Sequence, residues 1–318
     1  MAEMLALRDY YGKTVAELGK TNKDIVVLDA DLSGSTRTST FAKAFPERFF
    51  NMGVAEQDMI GTAAGLAAGG KIPFASTFAI FASGRAWEQV RQAVGYPHQN
   101  VKIIATHGGI TVGPDGPSHQ AGEDIALMRA IPGLTVIMPA DAHETAAAVR
   151  WAAAYIGPVY IRLTRDKFPV VFNESKTFAP GKGDQLKKGT DVTFVACGLM
   201  TSIALEAAAL LGKEGISAGV VNMASIKPID HGLVLQAAAE SGALVAAEEH
   251  SVIGGLGSAV AELVAENNPV PVIRVGIQDD YISSGAPEEL LEACGFTAAG
   301  LADAARRAVQ LKKQAASR

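Results

Sequence analysis

Cysteine is almost absent from this chain: Cys197 and Cys294 are the two in 318 residues. Two thiols so far apart in sequence make neither a disulfide framework nor a zinc-ligand spacing, so both read as small buried hydrophobes. Aromatic residues are sparse, at 6%. Clustered charge of one sign is missing too. The 28 Lys and Arg residues are scattered and the net charge is −5, so no nucleic-acid groove is expected. The acidic tilt also disfavours an anionic membrane surface. No apolar run reaches the ~18 residues that a membrane-spanning helix needs; Ile72 to Gly84 comes nearest and is rich in small residues. The N-terminal MAEMLALRDYYGK lacks a basic region followed by an apolar run, so no signal peptide is expected. These absences point to a soluble, cytoplasmic protein.

What the chain has is alternation. Hydrophobic residues make up 48% of it, enough for a large core and, at this length, two domains. Val/Ile-rich runs predict strands within 24–30, 48–52, 71–76, 101–107, 134–139 and 158–163, then 191–198, 216–222, 243–250 and 270–277. Helical periodicity lies between them, as in GRAWEQVRQAV, where Trp87, Val90 and Val94 share a face. Strands apolar on both sides and separated by helices imply two doubly wound α/β domains, each a parallel sheet covered on both faces. A polar stretch with Pro180, Gly181, Gly183 and Gly189 reads as the linker. The expected division is a first domain 1–170, a linker 171–190 and a second domain 191–318.

In open α/β sheets, ligands bind beyond the carboxyl ends of the strands. The loops there are DADLSGSTRT, GVAEQD, STFAIFASG, HGGITVGPDGPSHQ and LTRD. Glu56 heads a helix of small apolar residues. It serves either as a complement to the helix dipole or as a desolvated acid with a proton to share. Phe78 and Phe81, three apart, are either core residues or a stacking face for a flat heterocycle. HGGITVGPDGPSHQ carries His107, Asp115 and His119 on a backbone broken by four glycines and two prolines. So long a connection inside a compact domain is usually functional. Its polar residues match no common zinc spacing and suit hydrogen bonds to hydroxyls and acid–base help near neutral pH. Two glycine motifs are set aside. Gly12-Lys13-Thr14 lacks the upstream glycine of a phosphate-binding loop, and IGGLGSAV at 253–260 follows EEHS rather than a bare strand. His98, His143, His231 and His250 read as surface or loop residues.

At GVAEQDM, STFAIF and GPDGPSHQ together, the chain resembles transketolase, and more closely its C-terminal half as found where the enzyme is encoded as two chains. The resemblance spans essentially the whole chain and implies a pyrimidine-binding thiamine diphosphate domain followed by a Rossmann-like transketolase C-terminal domain. It implies that Glu56 hydrogen-bonds N1′ of the cofactor's aminopyrimidine, sharing the proton that starts catalysis. It places Phe81 on the pyrimidine face, Phe78 in the pocket wall and Asp31 near the thiazolium. His119 and Asp115 would lie by the reacting carbons, and Ser35, His107 and Arg165 would hold the sugar phosphate. The reaction implied is transfer of a two-carbon ketol unit between sugar phosphates of the pentose phosphate pathway.

The family binds diphosphate through a metal, using a Gly-Asp-Gly segment and a later asparagine. Here the one Asp-Gly is Asp115-Gly116, in Pro-Asp-Gly-Pro, with no matching asparagine. The implied arrangement is half of an active site. Thiamine diphosphate would be shared with a separate N-terminal subunit that carries Mg²⁺, with two copies of each chain, no metal ligand on this one, and an apolar edge where the missing domain would pack. Gly84 stands near where many transketolases have a third aromatic, and Gly108-Gly109 replaces bulkier residues after His107. 1-Deoxyxylulose-5-phosphate synthase shares parts of these motifs but is a longer single chain. The pyruvate dehydrogenase β subunit lacks Pro-Asp-Gly-Pro-Ser-His-Gln. The second domain is expected to serve mainly in packing.

Overall fold

The computed structural model describes residues 3–317; residues 1, 2 and 318, included in the expected domain bounds, lie outside them. The strands of the first half are β1 (Met4–Ala6), β2 (Ile25–Asp29), β3 (Phe49–Asn51), β4 (Ile72–Phe78), β5 (Lys102–Thr106), β6 (Thr135–Ile137), β7 (Val159–Arg162) and β8 (Lys167–Pro169). Those of the second are β9 (Asp184–Lys187), β10 (Val192–Ala196), β11 (Ala218–Asn222), β12 (Ser225–Lys227), β13 (Leu244–Ser251) and β14 (Val272–Ile277). All ten strands expected from apolar runs are present. Two α/β sheets result, one of seven strands in the order β12-β6-β7-β5-β4-β2-β3, the other of five in the order β14-β13-β10-β11-β9. Both are parallel except for one antiparallel edge strand each, β12 and β9. β1 and β8 pair separately.

Central strands such as β2, β5 and β10 are buried along their whole length, which is why they read as unbroken apolar runs. The helices cover them through small-residue stripes. Leu7–Thr21 turns Leu7, Tyr11 and Val15 inward, and Ala142–Ala154 meets it with Ala148, Val149 and Ala152. Asp141 caps the second of these helices, its carboxylate accepting from the Glu144 N–H at 2.8 Å.

Three expectations need correction. The segment expected as linker contains β9, which pairs with β11; four residues of mixed polarity, DQLK, gave no apolar run to read. The two halves are also less separate than the linker suggested. β12 follows β11 in the chain yet completes the first sheet. One apolar cluster runs from Val136 and Met138 into Val195, Cys197, Val221 and Met223. Cys294, expected to be buried like Cys197, is only half-buried.

A buried polar clasp reinforces that joint. The Asn222 amide donates to Glu144 at 2.9 and 3.1 Å and to Asp184 at 3.3 Å, while its oxygen accepts from Thr201 at 3.0 Å. Lys176 reaches Asp184 at 2.6 Å and Glu144 at 3.4 Å. Burial pushes the Glu144 carboxyl up to about 7, against the Ala140 N–H and Lys176, which hold it down. Asn222→Asp sets a third carboxyl among two. The expected cost is about 3 kcal/mol or more at pH 8, with a smaller deficit at pH 6, where protonation relieves the repulsion. Urea unfolding at the two pH values checks this; an equal deficit at both contradicts it.

Candidate active site

β7, β5, β4, β2 and β3 are neighbours in the first sheet. The loops leaving their carboxyl ends bring most of the expected residues to one face. Glu56 is the first residue of the helix Glu56–Ala68 and is 4% exposed, so it is both at a helix's positive end and desolvated. Its Oε1 accepts from Arg85 Nη1 at 3.2 Å, a counter-ion the sequence did not single out. Val54, Ala55 and Arg85 help line the open cleft of about 590 Å³ beside it. Val54, at this mouth, is exposed, as is Phe50 on the edge strand β3.

Phe78 ends β4, and Phe81 opens the wide helical turn Phe81–Arg85. A second wide turn, Val90–Gly95, follows after Trp87, so the helix expected here is not uniformly α-helical. The rings of Phe78 and Phe81 stack 5.7 Å apart at 15°, and His107 stacks on Phe78 at 3.7 Å. His119 stands edge-on to Phe81 at 5.4 Å and to Phe78 at 6.3 Å. The Arg85 guanidinium lies 4.1 Å over the Phe81 ring. Glu56, Arg85, Phe81, Phe78, His107 and His119 are thus one contiguous chain of contacts. Asp31 is apart from it: exposed, with φ 62°, and accepting from Asn51 Nδ2 at 2.9 Å.

His107 has φ 59°, a conformation a side chain rarely adopts without its surroundings enforcing it. Its Nδ1 is 2.8 Å from the Thr106 hydroxyl. Burial, together with Arg8, Arg165, His119 and Arg37, pushes it down to about 3, so it works as a neutral hydrogen-bonding group. Arg8 and Arg37 were missed by sequence reading. Arg8 Nη1 donates to the Ser35 carbonyl at 3.0 Å, while its buried Nε has no partner. Arg37 pairs with Asp9 at 2.6 Å. Arg165 donates to the Val112 carbonyl at 2.7 Å and reaches Asp115 at 3.4 Å. Three arginines, one with an unsatisfied donor, make a corner suited to a tetrahedral oxyanion.

The loop's shape is set by the other domain. Glu249, fully buried at the end of β13, accepts from both the N–H and the hydroxyl of Thr111 at 2.8 Å. His250, also buried rather than at the surface as expected, accepts at Nε2 from the Ala126 N–H at 3.3 Å. Ser251 N donates to the Gly122 carbonyl at 2.6 Å. A Cβ on Gly108 would collide with Arg162, and one on Gly109 with the Glu249 carboxyl. Those glycines are therefore demanded by packing. EEHS proves to be the end of a strand after all, and IGGLGSAV does lead into a helix. The helix start is nonetheless closed to a phosphate, because Glu248 accepts from the N–H groups of Leu256 and Gly257 at 2.6 and 2.7 Å.

The fold and the site define an α/β enzyme domain pair in which a buried acid, stacked aromatic rings and an arginine corner share one strand-end face. Residues 3–170 match the transketolase pyrimidine-binding domain and residues 181–301 the transketolase C-terminal domain. A transketolase C-terminal section from Methanocaldococcus jannaschii is 52% identical over 93% of this chain and 94% of its own length. A 6-deoxy-6-sulfo-D-fructose transketolase subunit from a Clostridium species is 44% identical over 96% of this chain and 95% of its own. A solved structure of a split-gene transketolase, an inactive β4 tetramer, superposes with a TM-score of 0.91 at 57% identity, covering 97% of this chain and 99% of that one. The Pichia stipitis transketolase superposes at 0.84 and 26% identity, but this chain spans only 47% of it. The chain belongs to the transketolase family, a family of thiamine diphosphate-dependent transferases, and corresponds to the C-terminal half of its single-chain members.

No helix among the described residues is long and apolar enough to cross a membrane. His107 allows a pH test. Its unfolded form takes a proton near 6.5 and its folded form only near 3, so stability is lost as pH falls through that window. Relative to His107→Asn, the wild type should lose roughly 2 kcal/mol between pH 7.5 and pH 5. Urea unfolding of both proteins measures this; parallel pH dependence contradicts it.

Proposed function

We propose that this chain is the C-terminal subunit of a transketolase that moves a two-carbon ketol unit from a ketose phosphate, such as xylulose 5-phosphate, to an aldose phosphate, such as ribose 5-phosphate. It acts in the pentose phosphate pathway, in the cytoplasm. Activity requires a separate N-terminal subunit, which holds Mg²⁺ and the diphosphate end of thiamine diphosphate, with two copies of each chain. The observation that carries this reading is the run of contacts from buried Glu56 through Phe81 and Phe78 to the arginine-flanked His107.

The residues present fit the aminopyrimidine end of the cofactor: a nearly buried carboxyl at a helix start, joined through Arg85 to an aromatic face. When bound, thiamine diphosphate supplies the nucleophile for the ketose carbonyl and the electron sink for carbon–carbon cleavage. Glu56 would hold the pyrimidine N1′ and share a proton with it. Phe81 would offer its face to the ring and Phe78 would wall the pocket, while Asp31, apart from that run of contacts in the free chain, would lie towards the thiazolium. Arg85 covers Phe81 and Glu56 in the free chain and gives way. Its side chain is 54% exposed and held by one 3.2 Å pair, so moving it costs on the order of 1 kcal/mol.

On the substrate side, half-buried His119 moves hydroxyl protons and Asp115 accepts from a donor hydroxyl. Arg8, Arg165, Ser35 and neutral His107 anchor the phosphate. The same arginines suit a sulfonate, and relatives are named as acting on a sulfo-sugar and on apulose 4-phosphate. The donor's terminal group is therefore the variable to test.

The test is reconstitution with the N-terminal subunit from the same genome, with thiamine diphosphate, Mg²⁺, xylulose 5-phosphate and ribose 5-phosphate. Turnover should appear only in the mixture. Turnover by this chain alone, or none in a formed complex supplied with phosphorylated and sulfonated donors, overturns the reading. Glu56→Gln should lower kcat at least 100-fold with unchanged melting temperature; wild-type-like turnover in that variant excludes the proton-sharing role.

A further inference from the structure

We propose that Glu249, which belongs to the second domain, is a positioning residue that sets the substrate-facing loop 107–120 and through it the arginine corner. The inference rests on the functional reading above for its kinetic consequence, but not for its geometry.

The loop is closed at its base by the paired backbones of Gly109 and Ala121, at 3.0 and 3.3 Å. Just inside that closure one oxygen of Glu249 takes both the N–H and the hydroxyl of Thr111. The adjacent Val112 carbonyl accepts from Arg165, which also reaches Asp115. A shift at Thr111 therefore moves the acceptor that aims Arg165. Gly109, at φ 80°, leaves room for the Glu249 carboxyl where any Cβ would collide with it. Gly116 lies in the same way against Ser284, Gly113 packs less tightly against Gly285 and Pro287, and Gln120 Nε2 donates to the Ser283 carbonyl at 3.2 Å. The loop is thus moulded from above and below by second-domain segments. The other Glu249 oxygen is buried without a partner. Burial holds the carboxyl above its ordinary range, offset in part by Arg162. A chain that needed only a packed core has no use for a carboxyl in that position.

Two readouts separate positioning from mere support. In the chain alone, Glu249→Ala should speed hydrogen exchange of the Thr111 amide at least tenfold and leave the amides of β10 and β11 unchanged. Glu249→Gln keeps an oxygen that can accept both bonds and should restore exchange to within threefold. In the reconstituted enzyme, Glu249→Ala should raise KM for the phosphorylated donor about tenfold while kcat stays within threefold, and Glu249→Gln should restore KM. Unchanged Thr111 exchange, or lost kcat with unchanged KM, overturns the proposal. Should Glu249→Ala not fold, Thr111→Val removes the hydroxyl bond alone: a raised KM supports positioning and an unchanged KM refutes it. If the wild-type complex turns over no sugar phosphate, the functional reading falls, while hydrogen exchange still decides whether Glu249 sets the loop.

Discussion

A guanidinium with no access to water sits where the two domains and the substrate loop meet. Arg162, at the end of β7, lies 3.2 Å from Asp124, and both side chains are fully buried. It donates to the carbonyls of Ala121 at 3.3 Å and Glu249 at 2.8 Å. Tyr160 donates to the same Asp124 at 2.6 Å. One side chain thereby ties the first sheet, the far end of the substrate loop and the last turn of β13. Buried pairs of this kind add little over an apolar substitute, but removing one partner costs ~3–5 kcal/mol, because the other is left as an isolated charge. What Arg162 contributes is placement. With Gly108 packed against it, the loop has one way to leave β5.

From that placement the site follows. The turn out of β5 forces His107 into its left-handed conformation and onto Phe78. The return past Gly116 sets His119 edge-on to Phe81. The second domain, expected to serve mainly in packing, supplies Glu249 to this loop, Ser251 to Gly122 just after it and His250 to the Ala126 N–H of the helix that follows. The substrate half of the proposed site is therefore a joint product of both domains. The cofactor half is left open at Glu56 and Phe81, which the half-exposed Arg85 covers.

The sequence was informative where burial is symmetrical and silent where charge is buried. Ten strands announced themselves as apolar runs. β1, β8, β9 and β12 are three or four residues long and lie at edges, too short for any periodicity. Glu56, Phe78, Phe81, His107 and His119 were legible because polar and aromatic residues at strand ends stand out against an apolar background, and the family resemblance gave them roles. Arg8 and Arg37 were not, since they come from the first helix and the segment after β2, 99 and 70 residues before His107, and only folding joins them to it. Glu249 is legible only as part of the strand expected at 243–250, and His250 reads as a surface or loop residue. Nothing in one sequence marks a carboxylate that will be buried against another domain's glycine, although Gly109 is the visible imprint of that contact.

In the proposed function, this chain presents a preformed acid and ring to the pyrimidine of a cofactor whose diphosphate is held by another subunit. A crystal structure of the two-chain complex with thiamine diphosphate tests this most directly. The expected result is a Glu56 carboxylate oxygen within hydrogen-bonding distance, about 2.6–3.2 Å, of N1′, with Arg85 displaced and Phe81 against the pyrimidine face. A pyrimidine bound away from Glu56, or a diphosphate held by residues of this chain, would contradict it.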